Sequence, residues 1–234
     1  MITILNNIMA SNRFSVVDVD LTDNSVEFIL YKADSRKRQE YFLIVDLSTL
    51  SGEELRYFLE QTSQEIFEDI QNSGKVELYF EKNCTMIICL NTSVENQDMI
   101  LALEEDPYNF KKNVVRYSAG ELAALNGYLT RHSVTAITND IINDILNANG
   151  GADFLEFKLN HKTGSQLYSL ITRIIMKLSF LVYSPREQKL ENLAGQIEAA
   201  IPVGLTETFD KILTTEWTDE AVIANVESIW GGRA

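Results

Sequence analysis

Short apolar runs bounded by polar residues mark three early stretches, Ser15 to Asp20, Val26 to Lys32 and Glu40 to Leu47, and this pattern predicts two or three strands. The charged segment Ala33 to Arg38 between the last two predicts an antiparallel hairpin with a solvated loop. At Ser51 the pattern changes. Ser51 and Glu54 have the spacing of a capping box, and Leu55, Phe58, Leu59, Thr62, Ile66 and Ile70 then recur at helical spacing until Gly74 offers a stop. Lys75 to Phe80 and Thr85 to Asn91 flank Glu81-Lys82-Asn83-Cys84 and predict a second hairpin. A short helix is expected from Glu95 to Asp106, ended by Pro107, and Ser118 with Glu121 repeats the capping-box pattern.

The rear of the chain reads as mostly helical, with one strand expected at Phe154 to Leu159 between Gly150-Gly151 and His161. Thr163 with Gln166, and Ser184-Pro185 with Glu187, mark two helix starts. In the first of these helices Leu167, Leu170, Ile171, Ile174, Leu178 and Leu181 form the stripe expected to be buried. Gln166, Ser169, Arg173 and Lys177 occupy the other face. Thr206 to Thr214 and Thr218 to Trp230 are short helical candidates, and Trp217 and Trp230 are anchors by residue type. The pattern thus predicts an α+β fold: an antiparallel or mixed sheet with packed helices in the N-terminal half, and a mostly helical C-terminal part. A break near Arg131 to Val134 suggests an α+β domain over 1–132 and a mainly helical region over 133–234, packed on the first.

Composition narrows the function classes. With 234 residues, 45% of them hydrophobic, the chain can bury a sizeable core. Its 34 acidic and 20 basic residues give a net charge of -14, a field that repels nucleic acid unless cations gather in one place. Cys84 and Cys89, five apart, make neither a disulfide framework nor a four-ligand zinc site, a usage that fits a reducing, cytoplasmic setting. Met1 to Asn12 has no basic leader or small-residue cleavage site. The greasiest stretch, Leu167 to Tyr183, falls short of a span of about 20 residues and carries Arg173 and Lys177, so a core helix is expected and no membrane partner.

Candidate chemistry is sparse. His132 and His161 have no Asp, Cys or second His at ligand spacing, and His132 sits where a cation suits a helix C-terminus. Gly150-Gly151 lacks the Lys-Ser/Thr of a phosphate loop and precedes the expected strand. The cysteines read as buried small hydrophobes. Asp153, Glu156 and Lys158 resemble the carboxylates and lysine of a metal-dependent nuclease if Glu156 and Lys158 share one side of a strand, but such a triplet also arises by chance. No cofactor or metal is implied, and no self-contained catalytic site is expected.

The most distinctive local feature is Glu104-Glu105-Asp106-Pro107-Tyr108-Asn109-Phe110-Lys111-Lys112. It reads either as a loop whose two rings tuck into the core, or as a recognition loop in which Tyr108, Phe110, Lys111 and Lys112 contact a partner. Glu105 to Lys112, the helix opened by Ser118 to Glu121, and Ile174-Ile175-Met176-Lys177-Leu178-Ser179-Phe180-Leu181 resemble the middle components of bacterial ABC-three-component systems, a group that includes the small subunit of Lamassu-type operons. Ser179 stands where that family's pattern has proline. The resemblance implies a non-enzymatic adaptor between an SMC-like or Rad50-like ABC ATPase and an effector, often a nuclease, in defence against phage and plasmids. Nucleic acid would then be reached only through partners. The alternatives are the nuclease-like enzyme using Glu156 and Lys158, and a small-ligand sensor with its pocket between the front sheet and the rear helices.

Overall fold

The apolar stretches at the front build β1 (Phe14–Val17), β2 (Glu27–Ala33) and β3 (Tyr41–Asp46), preceded by α1 (Ile2–Ser11). The computed structural model describes residues 1–20, 26–35, 37–91, 97–159, 165–185, 195, 200–202 and 205–231. Within them the chain divides into two compact units, 1–185 and 186–234. The predicted break near Arg131 to Val134 is a turn inside the first unit.

The first unit is built on a five-stranded mixed sheet in the order β1-β2-β3-β4-β5, with β4 at Cys84–Asn91 and β5 at Lys111–Tyr117. The predicted hairpin holds: β2 and β3 pair antiparallel, as do β1 and β2. The second expected hairpin does not form. Lys75 to Tyr79 is irregular, Phe80–Asn83 is a single helical turn (α4), and β4 runs parallel to β3 with Tyr41 opposite Cys84. Only part of the apparent alternation there is core: Phe80 is buried, but Leu78 is fully exposed and Glu77 is taken by Lys32 and the Tyr41 hydroxyl. The strand β5, parallel to β4, was not expected.

Between β3 and β4 the capping box at Ser51 starts α2 (Gly52–Tyr57), which continues through a π turn (Phe58–Thr62) into α3 (Ser63–Asn72). The wider π turn keeps Leu55, Phe58, Thr62, Ile66 and Ile70, mostly four apart, on one buried line. Gly74, at φ +69°, lets the chain turn away. The other parallel crossover is α5 (Gln97–Glu105). Both crossovers cover one face of the sheet, packing Leu55, Phe58 and Leu103 on Leu43, Val45 and Ile88. The opposite face is covered by α1 and by α6 (Ala119–Arg131), α7 (Asn139–Leu146) and α9 (Gln166–Lys177), whose Leu5, Leu125, Ile142 and Ile171 meet Ile44, Ile87 and Val115. Burial on both sides explains why β3 and β4 are almost wholly apolar.

Asn149 and Gly150, both in left-handed geometry, lie inside a short 3₁₀ turn (Ala148–Gly151) that leads into α8 (Ala152–Leu159). The expected strand at Phe154 to Leu159 is therefore a helix. A short apolar run carries no period that separates the two, and here Phe157 packs on Tyr168 while Phe154, Leu155 and Leu159 face solvent. In α9 the predicted stripe holds for Leu170, Ile171 and Ile174, with Leu167 partly buried; Leu178 and Leu181 are buried just beyond its end. Its cap is Ser165; Thr163, where the start was predicted, lies outside the described residues, as does the helix predicted to follow Ser184-Pro185 through Glu187.

A ladder of asparagines closes the first unit. Asn139 and Asn143 on α7, with Asn147 capping its end, hold the backbone of Val182 to Ser184: Asn143 donates to the Val182 carbonyl at 2.9 Å and accepts from the Ser184 amide at 2.7 Å. Asn139 accepts from the Val182 amide, and Asn147 donates to the Ser184 carbonyl.

In the second unit the described helices are α10 (Thr206–Thr214) and α11 (Val222–Trp230). The segment between them is tied to each: Trp217 donates its indole N–H to the Ile212 carbonyl of α10 at 3.0 Å, and Asn225 of α11 donates to the Glu216 carbonyl at 3.0 Å. The helix expected from Thr218 begins later, after a turn over 218–221.

Candidate functional site

The loop between α5 and β5 is shaped by Pro107 and by Asn109, whose φ of +62° places it in the left-handed region that Asn tolerates better than most residues. Asn109 is pinned by a bond from its amide to Gln64 Oε1 at 3.1 Å. Phe110 turns inward, 3% exposed, edge-on to Phe67 and Phe80 with ring centroids 5.3 and 6.2 Å away. Lys112 is also interior, at 2% exposure. It shares the α5 face of β5 with Val114, so the pleat drives its stem inward, and its ammonium is met by Asp106 and by the Tyr108 carbonyl at 2.7 Å. Tyr108, 72% exposed, and Lys111 remain at the surface. The four candidate partner-binding residues thus divide: Phe110 and Lys112 hold the loop, while Tyr108 and Lys111 are accessible.

Polar side chains from both helical layers converge on β5, the last strand of the sheet. Glu104 of α5 accepts from the Val114 amide at 2.8 Å and pairs with Lys177 of α9 at 2.5 Å. Arg173 of α9 donates to the Arg116 carbonyl at 2.5 Å and pairs with Glu121, the capping-box residue of α6. Asn113 donates to the Lys177 carbonyl at 3.1 Å. Backbone groups of an edge strand that would otherwise template another strand are thereby occupied. Sequence reading put Arg173 and Lys177 on the polar face of α9 and missed this role. Their spacing of four on a helix otherwise devoted to the core was the available signal.

A cleft of about 710 Å³ opens at the end of the sheet where β3, β4 and β5 begin. Glu40, Glu81, Lys82, Lys111 and Lys177 line it, a mixed-sign wall suited to polar contacts. Cys84 also lines it, but burial pushes its thiol well above the ordinary range, and Cys89 is pushed up to about 12 by the same cause. Neither is an activated nucleophile at neutral pH.

The nuclease-like arrangement is corrected by the fold. Asp153, Glu156 and Lys158 lie on α8, where residues two apart point to different sides, so Glu156 and Lys158 do not form one face. Asp153 accepts from the Asn149 amide at 3.3 Å. Gly150-Gly151 does precede a helix, contrary to expectation, yet the Lys-Ser/Thr of a phosphate loop is missing from the sequence. Among the described residues no group of three or more His, Cys, Asp or Glu side chains is placed to hold a metal ion. His132 ends α6 with its ring 4.3 Å from that of Tyr128; His161 lies outside the described residues. No helix among the described residues is long and apolar enough to cross a membrane.

Comparison with known families turns on the segment that carries this loop. Residues 40–145 match the model of the ABC-three component (ABC-3C) system Middle Component 1. The match runs from β3 through α7 and includes the parallel part of the sheet, the loop with Tyr108, and the buried Lys112. It supports a middle component, a subunit with protein partners in a multi-subunit system. The motif at Ile174 to Leu181 lies beyond the matched residues. No curated protein and no solved structure matches the chain.

Proposed function

We propose that the chain is the middle component of an ABC-three-component defence system of the Lamassu-like kind: a cytoplasmic adaptor, without catalysis of its own, that bridges an SMC/Rad50-like ABC ATPase and an effector nuclease. The match over residues 40–145 carries this reading. The surface supports it in a specific way. With the β5 edge occupied, a partner engages the accessible side chains of the loop, Tyr108 and Lys111, rather than adding a strand to that edge. The net charge of -14 suits a second role, covering a basic nucleic-acid surface of the effector until activation.

Co-expression with the ABC ATPase and effector encoded beside it tests the adaptor reading. The tagged chain recovers both subunits, and Tyr108→Ala with Lys111→Glu lowers the recovery about tenfold, the effect of a loss of roughly 1.4 kcal/mol, with an unchanged circular dichroism spectrum. If the unaltered chain recovers neither subunit, the adaptor reading fails. Full recovery by the double variant moves the interface away from the loop.

A further inference from the structure

The helices α10 and α11 carry apolar stripes whose described residues are largely exposed. Phe209 and Leu213, four apart on α10, and Val222, Ile223, Val226 and Trp230 on α11 are all exposed, Leu213 at 81% and Ile223 at 74%. None of the described apolar residues of this pair is buried, and only Ile212 and Ile229 among them are half-buried, so among the described residues both amphipathic helices present open apolar stripes. Such a surface calls for an occupant. The charged side chains beside it are mostly of one sign: among the described residues of this unit Glu207, Asp210, Glu216, Asp219, Glu220 and Glu227 are exposed acids and Lys211 is the one base.

We infer that α10 and α11 dock a basic amphipathic helix of a protein partner, which lays its apolar face on these stripes and its cations against the six carboxylates. Charge selects this occupant. A second copy of the chain brings the same acidic residues and so meets the surface with like charge. A helix fits because two amphipathic helices become a closed apolar interior when a third is added. Charge complementarity steers the encounter, and the apolar contact holds it. The inference is carried by these helices alone and does not rest on the proposed ABC-3C role.

The chain's two tryptophans, Trp217 and Trp230, both lie in this unit and report on it directly. The full chain is titrated with two synthetic helical peptides that share one leucine face and differ in the other, lysine and arginine in one, glutamate in the other. The basic peptide shifts tryptophan emission to shorter wavelength with saturation and binds at least tenfold tighter than the acidic one, and added salt weakens it. The exposed substitutions Leu213→Asp with Ile223→Asp lower that affinity at least tenfold and leave the melting temperature unchanged. Equal binding of the two peptides, or no saturable shift, overturns the inference. Concentration-dependent self-association abolished by the double variant assigns the face to a second copy and overturns it too. A melting temperature lowered by the double variant does the same, because the chain itself then covers the stripes.

Discussion

Lys177 Nζ lies 2.5 Å from Glu104 Oε1, joining helices that lie on opposite faces of the sheet across the rim of β5. The same carboxylate oxygen takes the Val114 amide, so one side chain links α5, α9 and the strand between them. Glu104→Ala strands a strand amide and a partly buried ammonium together, and is expected to cost about 1–3 kcal/mol. Lys177→Met keeps the Glu104 bond to the strand and costs less, about 0–1 kcal/mol. Urea unfolding of the two single variants and the double variant checks this. Equal losses from both single variants would show that the ion pair, rather than the strand cap, is what matters.

Lys112 and Asp106 are the second closely coupled pair. The ammonium has no exposed surface, and burying a charge is tolerated only while its partners remain. Asp106→Ala is expected to cost about 3–5 kcal/mol, because the Tyr108 carbonyl alone is left to meet the charge. Replacing both members, Lys112→Met with Asp106→Asn, should recover most of that loss, since an apolar stem suits the same space. A double variant no more stable than Asp106→Ala would show that the ammonium's other contact carries the pair.

These two pairs show where sequence reading stops. The capping boxes at Ser51 and Ser118 were legible because both reciprocal partners lie within four residues. The first hairpin was legible from two apolar runs around a charged segment, and the buried residues of α9 from their helical period. Strand β5 was hidden by Lys111, Lys112 and Arg116, which give Lys111 to Tyr117 the look of a solvated segment; the partners that make those cations compatible with a sheet are Asp106, Gln97 and a carbonyl, none of them signalled by a local pattern. The loop was legible as a site but not its division. Phe110 and Lys112 face inward because Phe67, Phe80 and Asp106 await them, and only the assembled fold brings those groups together. The segment at Phe154 failed for the opposite reason, being too short for its period to distinguish helix from strand.

Asn143 is the centre of the ladder that fixes Val182 to Ser184. It is 9% exposed, donates to the Asn139 and Val182 carbonyls and accepts from the Ser184 amide. Asn143→Ala removes both long-range bonds at once and leaves the Ser184 amide and Val182 carbonyl without that partner. The expected loss is about 1–3 kcal/mol, accompanied by faster hydrogen exchange at Ser184. Asn143→Asp keeps the acceptor and should preserve protection at Ser184 better than Asn143→Ala does. Identical exchange in the two variants would mean that the segment is held by packing instead.

The buried thiols predict an alkaline weakness with a defined sign. An unfolded cysteine ionises near its ordinary value of 9, whereas burial raises Cys89 to about 12 and Cys84 in the same direction. As the pH climbs past 9 the unfolded chain releases these protons first and the folded chain keeps them, so unfolding becomes easier. For Cys89 this continues until about 12, where the folded thiol also ionises. Each thiol then contributes a loss of about 1.4 kcal/mol per pH unit within its window. Urea midpoints at pH 7.5 and pH 10 should therefore differ more in the unaltered chain than in Cys84→Ala with Cys89→Ala, whatever that double variant loses at neutral pH. Buried Tyr31 and Tyr117 are shifted in the same direction and add a decline that both proteins share. Matching declines would mean that the thiols ionise equally in both states, and prompt labelling of the native protein by a thiol reagent at pH 8 would show how they reach solvent.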